Sequence, residues 1–210
     1  MIKPEYHILL IILSYLIGSI STSIIICKYK KIDIRKIGSG NAGATNTVRA
    51  LGKKYGAIVL FMDMLKGVLP TVIAKLITPE SVFLPICCSF AVVFGHMFPI
   101  YFSFQGGKGA ATIIGTIYVI FPIGAIICTI TWLSTLFLSG FVGLATIVAA
   151  ISFPFSVYLL ADTNLTFYGF SAMLLILIAH HKNILRLIRG KENRFDKIHI
   201  FNKNSIFRKN

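Results

Sequence analysis

The feature that most constrains this chain is its succession of long apolar blocks. Residues 7–27 contain no Asp, Glu, Lys or Arg, and at ~1.5 Å per residue a helix of that length is about long enough to cross a ~30 Å hydrocarbon core. Further apolar blocks follow at roughly 55–78, 81–99, 109–138, 141–160 and 164–181. With 56% hydrophobic residues in a chain of 210 and a mean hydropathy of +0.81, the sequence falls in the integral-membrane class. The expected fold is all-α and polytopic: one integral membrane domain over 1–190, then a polar, basic cytoplasmic tail over 191–210. Lys3 ahead of the first block resembles the start of a signal peptide. However, the block exceeds the ~7–15-residue core of such a segment and no Ala-x-Ala site follows it, so a spanning helix is expected.

The charges set the expected topology. Of the 21 Lys and Arg residues, eight lie between Lys28 and Lys54 and nine from Lys182 to Lys209. The positive-inside rule places both groups on the cytoplasmic face, so the crossings between them must be even in number. Five apolar blocks separate them, and the third, 109–138, carries Pro122 and Gly124 near its middle. Proline deletes a helical donor and clashes with the preceding turn, so this block is expected to split into two short helices of about 13 and 16 residues, each below the ~20 of a full crossing. The count becomes seven membrane helices, two of them short, with the N-terminus outside and the C-terminus inside. The formal net charge of +14 then reads as a topology signal. Nucleic-acid motifs are absent, and no nucleic-acid partner is expected. The cysteines Cys27, Cys87, Cys88 and Cys128 lie in apolar runs without metal-ligand spacing and read as small buried hydrophobes.

Three polar segments interrupt the oil. The first runs from Gly38 to Arg49 and offers Ser39, Asn41, Thr45, Asn46 and Arg49 among glycines, the composition of a loop that turns N–H groups toward an anion. Its Gly38-x-Gly40-x-x-Gly43 spacing matches a dinucleotide fingerprint, but a membrane helix precedes it where that fingerprint needs a strand. The second runs through Gly95-His96-Met97-Phe98-Pro99 to Gly106-Gly107-Lys108-Gly109. A glycine-rich turn feeding a helix N-terminus beside a lysine suits phosphate, and it lacks the first glycine and the Ser/Thr of a Walker A loop. The third runs from His180 to Asn193 and puts His180, Asn183 and Arg186 on one helical face. There a histidine can donate to phosphate or take a proton. Asp63 lies inside an apolar run with Lys66 three residues on. Such an acid must pair or face a cavity, so the two are expected to pair as structural polar residues.

No histidine begins His-x-x-x-x-Asp, and neither His-Glu-x-x-His nor Gly-x-Ser-x-Gly occurs, so the thioester-dependent acyltransferase dyad, a zinc hydrolase and an activated serine all lack support. An anion or phosphate-ester transporter is the alternative, motivated by the broken helices and Asp63, but no inverted repeat is visible.

Taken together, the three ordered segments resemble the bacterial membrane acyltransferases that use acyl phosphate to acylate the 1-hydroxyl of glycerol 3-phosphate, the first acylation of phospholipid synthesis. The resemblance covers nearly the whole chain. It implies a seven-helix protein of the bacterial inner membrane with a cytoplasm-facing groove, and no cofactor or metal. Glycerol 3-phosphate, acyl phosphate and membrane lipid are the implied partners, and a monomer is the expected state. Carried over by position, Ser39, Arg49, Lys108, His180 and Asn183 form the implied catalytic pocket. Gly106, Gly107 and Gly109 line the acyl-phosphate side, Asn41, Thr45 and Asn46 shape the first loop, and Glu192 is a structural polar residue. Where the family tends to show serines, this chain reads Gly140 to Thr146; Thr146 keeps a hydroxyl and Gly143 does not. Either the substrate's own phosphate or His180 can accept the proton.

Overall fold

A computed structural model of the chain describes residues 4–161 and 165–194. Helices account for nearly all of it. α1 (Pro4–Gly18) and α2 (Thr22–Tyr29) form the first crossing, α3 (Ala44–Leu51) follows its C-terminal end, and α4 (Lys53–Ile77) and α5 (Phe83–Met97) return across the membrane. α6 (Ala110–Ile120) and α7 (Pro122–Ser139) follow, then α8 (Val142–Leu160), α9 (Thr166–Ala179) and α10 (His181–Ile188). Five helical runs are long and apolar enough to span: Glu5–Tyr29, Lys53–Ile77, Phe83–Phe102, Pro122–Ser139 and Val142–Leu160. α9 and α10 meet at a bend of 62° and together pass the same test. Up to six runs among the described residues thus pass by length and composition, and the place of the seventh expected crossing falls to the shorter apolar α6.

Two boundaries depart from the sequence expectation. The first crossing is not one helix over 7–27 but breaks at Ser19–Ser21. Gly18 presses against the Val92 carbonyl, and Gly95 of α5 presses against the Tyr15 carbonyl, positions where any Cβ would collide with backbone. This reciprocal contact brings α1 and α5 together as small residues do in lipid. Ser21 then restarts the chain as an N-cap, accepting from the Ile24 N–H at 3.4 Å. The second departure is in the first polar segment, which is a loop only to Gly43; Thr45, Asn46 and Arg49 sit on α3.

The third apolar block splits at Phe121, and Pro122 opens α7 at the position where its missing N–H costs nothing. The pieces are 11 and 18 residues long, so only the first is too short to cross. α6 is held by close backbone approach: Gly67 of α4 faces the Thr112 carbonyl and Gly115 of α6 faces the Met64 carbonyl. Its inner end packs into the main core with Val92, Ile113, Ile117, Phe153 and Tyr168. Tyr168 is fully buried, and its hydroxyl meets Ser89 and Thr116 at 3.0 Å each, so none of these three hydroxyls is stranded. α10 turns aside, leaving Leu185 and Ile188 exposed and Asn183 buried. That is the pattern of a helix lying along the membrane surface. The tail expected from 191 onward is described only to Arg194; the remainder lies outside the described residues.

Candidate active site

The three polar segments, far apart in sequence, line one cavity of about 420 Å³. Each is anchored differently. Gly38 and Gly40 adopt left-handed φ of 55° and 71°, bringing the loop back over α3. Asn46, 1% exposed, fastens it: its amide donates to the carbonyls of Ile34 and Ile37 at 3.1 and 2.9 Å, and its oxygen accepts from the Ser39 N–H at 3.2 Å. Thr47 and Ser23 share a hydrogen bond of 2.8 Å that ties α3 to α2. Ser39, Asn41, Thr45 and Arg49 are thereby left facing the cavity. Asn46, which the resemblance assigns to shaping this loop, spends its amide on it as the loop's scaffold and also lines the cavity.

The glycine turn works otherwise than its composition suggests. The N–H groups of Gly106 and Gly107 are not free for an anion; they donate to the carbonyls of Met97 and His96 at 3.2 and 3.0 Å, and neither residue lines the cavity. Both are glycines because the turn lies flat against the end of α5, where a Cβ at 107 would strike the His96 imidazole and the Ala42 carbonyl. Gly109, at φ 79°, caps α6, and the opening turn of that helix (Gly109, Ala110 and Ala111) does face the cavity. Between them, Lys108 Nζ donates to Asn183 Oδ1. Burial pushes the Lys108 ammonium down to about 8; the positive charges of Arg186, Arg49 and Lys182 add to this and Glu192 opposes it.

From the third segment, Asn183 Nδ2 donates to Glu192 Oε1 at 2.7 Å and Arg186 Nε donates to Glu192 Oε2 at 2.7 Å. Glu192 so neutralises Arg186 and locks the amide that receives Lys108. Arg49 has no ion pair among the described residues. The cavity's polar end therefore presents Arg49 and Lys108 as cations left for a ligand. His180 lies just past the last crossing, 5% exposed, with Nδ1 2.9 Å from the Ile176 carbonyl. A carbonyl only accepts, so Nδ1 carries the proton and Nε2 keeps its lone pair. Burial and the Lys108 charge hold its pKa down at about 4. Neutral His180 is thus an acceptor at Nε2, not a phosphate donor.

Behind these groups, Asp63 Oδ1 lies 3.0 Å from Lys66 Nζ and 3.6 Å from His96 Nδ1. All three residues are buried, and Asp63 and His96 reach the cavity wall. Lys66 also donates to the Ile20 carbonyl at 2.9 Å, a group released by the α1–α2 break. His96 was not singled out from the sequence for any role, although it stands in the second polar segment; its separation from Asp63 in the chain hid the contact. Thr146 lines the cavity, but its hydroxyl donates to the Val142 carbonyl at 3.0 Å and accepts from Trp132 Nε1 at 3.1 Å. Its proton is unavailable to a ligand. Gly143 leaves room for Asn183 and Glu192: a Cβ there would lie 2.6 Å from Asn183 Nδ2 and 3.0 Å from Glu192 Oε1.

The rest of the cavity is apolar, walled by Ile113, Ile117, Leu133, Phe153 and Ile176 among others. One end can hold anions and the other an alkyl chain.

The family model described as glycerol-3-phosphate acyltransferase matches residues 8–190. The glycerol-3-phosphate acyltransferase of Aquifex aeolicus is 42% identical over 187 residues, covering 89% of this chain and 97% of that one. Its counterpart in Francisella tularensis subsp. holarctica is 40% identical over 186 residues, covering 88% and 91%. Among solved structures, the fold is similar to the crystal structure of PlsY, an integral membrane glycerol 3-phosphate acyltransferase. In its glycerol 3-phosphate form the TM-score is 0.87 at 40% identity, covering 90% of this chain and 96% of that one. In its lysophosphatidic acid form the TM-score is 0.85 at 39% identity, covering 91% and 96%.

Proposed function

The chain belongs to the glycerol-3-phosphate acyltransferase family, and we propose that it takes its acyl group from an acyl phosphate and delivers it to the 1-hydroxyl of glycerol 3-phosphate. It is an integral multi-pass membrane enzyme that makes lysophosphatidic acid. The observation that carries the donor assignment is a single cavity whose end holding Arg49 and Lys108 runs directly into an apolar interior. Two phosphorylated substrates meet at one end, and one of them brings a long chain.

The hydroxyl oxygen attacks the acyl carbonyl carbon, the carbon–oxygen bond to phosphate breaks, and the hydroxyl proton leaves with the departing phosphate. Acyl phosphate is a mixed anhydride with a good leaving group, so positioning and charge supply most of the catalysis. Arg49 and Lys108 offset the repulsion between the two phosphates and stabilise the leaving one, with Ser39, Asn41 and Thr45 completing the polar shell. His180 Nε2 accepts a hydrogen bond from the attacking hydroxyl and aims it at the carbonyl. Held near 4, His180 is a weak base, which favours the leaving phosphate as the final proton acceptor. Asn183, fixed by Glu192, holds the Lys108 ammonium between the two anions. The active site opens to the cytoplasm of a bacterial cell.

The test is a donor comparison. Purified protein with glycerol 3-phosphate and palmitoyl phosphate should yield lysophosphatidic acid and inorganic phosphate, and palmitoyl-CoA should yield none. Turnover with the thioester and not with the phosphate would overturn the donor assignment.

A further inference from the structure

The cavity's lining stops at particular side chains on its deep side. On α6 the lining positions run from Ala110 to Tyr118 and stop, on α7 they begin at Cys128 and Thr129, on α8 they end at Phe153, and on α9 they begin at Ala172. From Ala110 to Tyr118 the helical rise gives a depth of about 12 Å, and from Gly143 to Phe153 about 15 Å. Across this floor Tyr118 Oη lies 2.9 Å from Thr129 Oγ1. Thr129 donates its only hydroxyl proton to the Ala125 carbonyl at 2.8 Å, so Tyr118 must be the donor to Thr129. The bond links α6 to α7 across the Phe121–Pro122 break.

The floor residues differ in how far they can yield. Phe153 is 2% exposed and packs edge-on against Tyr168 with ring centroids 5.6 Å apart. Tyr168 is itself pinned by Ser89 and Thr116. Cys128 and Ala172 are buried. Tyr118 and Thr129 are only partly buried and depend on one side-chain hydrogen bond. A chain that continues past this depth between α6 and α7 displaces Tyr118, leaving its hydroxyl without a partner inside an apolar pocket.

We propose that the Tyr118–Thr129 pair is the specificity-determining floor that sets which acyl-chain length the enzyme accepts. The proposal rests on the reading of the apolar cavity as the acyl-chain site. A pocket distinguishes neighbouring hydrocarbon lengths at about tenfold or more per methylene in kcat/KM when its end is closed, and an open end distinguishes none.

The experiment measures kcat/KM for decanoyl, lauroyl, myristoyl, palmitoyl and stearoyl phosphate in wild type, Tyr118→Ala and Tyr118→Phe. In wild type the series should fall off at its long end. In Tyr118→Ala the fall should move to longer chains, raising the ratio of the longest to the best wild-type donor about tenfold. Tyr118→Phe, which keeps the ring and loses the bond, should shift in the same direction by less. Each readout is a ratio within one variant, so a change in absolute rate does not mask it. An unchanged profile in an active Tyr118→Ala overturns the proposal and means the chain leaves sideways into the bilayer. Should Tyr118→Ala be inactive with every donor, an unchanged profile in Tyr118→Phe overturns it equally. If wild type uses none of the five phosphates, it is the donor assignment that has failed.

Discussion

In the proposed reaction Lys108 carries more of the chemistry than any other single residue, and its environment makes that role dependent on pH. Burial among positive neighbours holds it at about 8. A lysine is charged below its pKa, so the free enzyme loses its phosphate clamp as pH rises through about 8, and kcat/KM for glycerol 3-phosphate should fall there. Dependence of kcat should be shallower, because bound phosphate favours the charged form. On the acid side His180, held at about 4, stays neutral, so it should add no limb of its own in the ordinary histidine range near ~6.5 beyond that of the substrate phosphate, whose second pKa is about 6. Lys108→Ala should lower kcat/KM by about a hundredfold or more without lowering expression, and Lys108→Arg should remove the alkaline fall because an arginine does not titrate. An acid limb near the ordinary histidine value that is present in wild type and lost in His180→Asn would instead make His180 an ionising base and overturn the role given to it. Much at this scale was legible in the sequence. Arg49, Lys108, His180 and Asn183 announce themselves as polar residues in short motifs between apolar runs. What was hidden is the partner of each group, and the partner decides the role. Asn46 and Asn183 are the same residue type, yet one holds backbone carbonyls and the other a lysine.

At the level of elements, the site depends on helices that stop early. The α1–α2 break frees the Ile20 carbonyl for Lys66, the end of α5 presents His96, and α6 begins at Gly109 beside Lys108. Asp63 joins the first two, lying between Lys66 and His96. Removing one member of a buried charge pair leaves the other uncompensated, at a cost of about 3–5 kcal/mol. Asp63→Asn should thus lower the thermal midpoint of the detergent-solubilised protein. Replacing both charges, as Asp63→Leu with Lys66→Met, should recover part of the loss, since a pair of apolar residues strands no ion. A double variant as unstable as Asp63→Asn would show that the network acts through shape and not charge. The breaks themselves were unevenly legible. Pro122 marks its own break, because proline has a local steric effect that no neighbour can undo. The α1–α2 break carries only a weak local signature, Gly18 and the Ser21 N-cap, and the close approach of α5 to Gly18 that accompanies it is a tertiary contact. α3 escaped notice because glycine, serine and asparagine mark turns and helix starts alike. The glycines at 106 and 107 were read as donors to phosphate, whereas close approach to α5 uses those donors up.

Viewed as a whole, the molecule places its three polar segments at one membrane face, and the identity of that face follows from charge. The basic region from Lys28 to Lys54 and the basic residues from Lys182 to Arg194 flank the same cavity mouth, so a single insertion rule acts on both. For both groups to share that face the crossings between them must be even in number, which α4, α5, α7, α8 and α9 satisfy only if the 11-residue α6 is also carried across. That count makes the sidedness testable at three exposed positions. Lys36 and Arg189 lie on the mouth side, and Glu80 lies at the far end of α4, after Ile77. Cys27, Cys88 and Cys128 are buried, so a Cys87→Ser background should react weakly with a membrane-impermeant maleimide. In intact spheroplasts Glu80→Cys should label, whereas Lys36→Cys and Arg189→Cys should label only after the membrane is opened; inverted vesicles should give the reverse. If α6 failed to cross, Lys36 and Arg189 would fall on opposite faces and label under opposite conditions. Three polar segments could not then share one mouth, and the cavity that joins Arg49, Lys108 and His180 would have no means of forming in a bilayer.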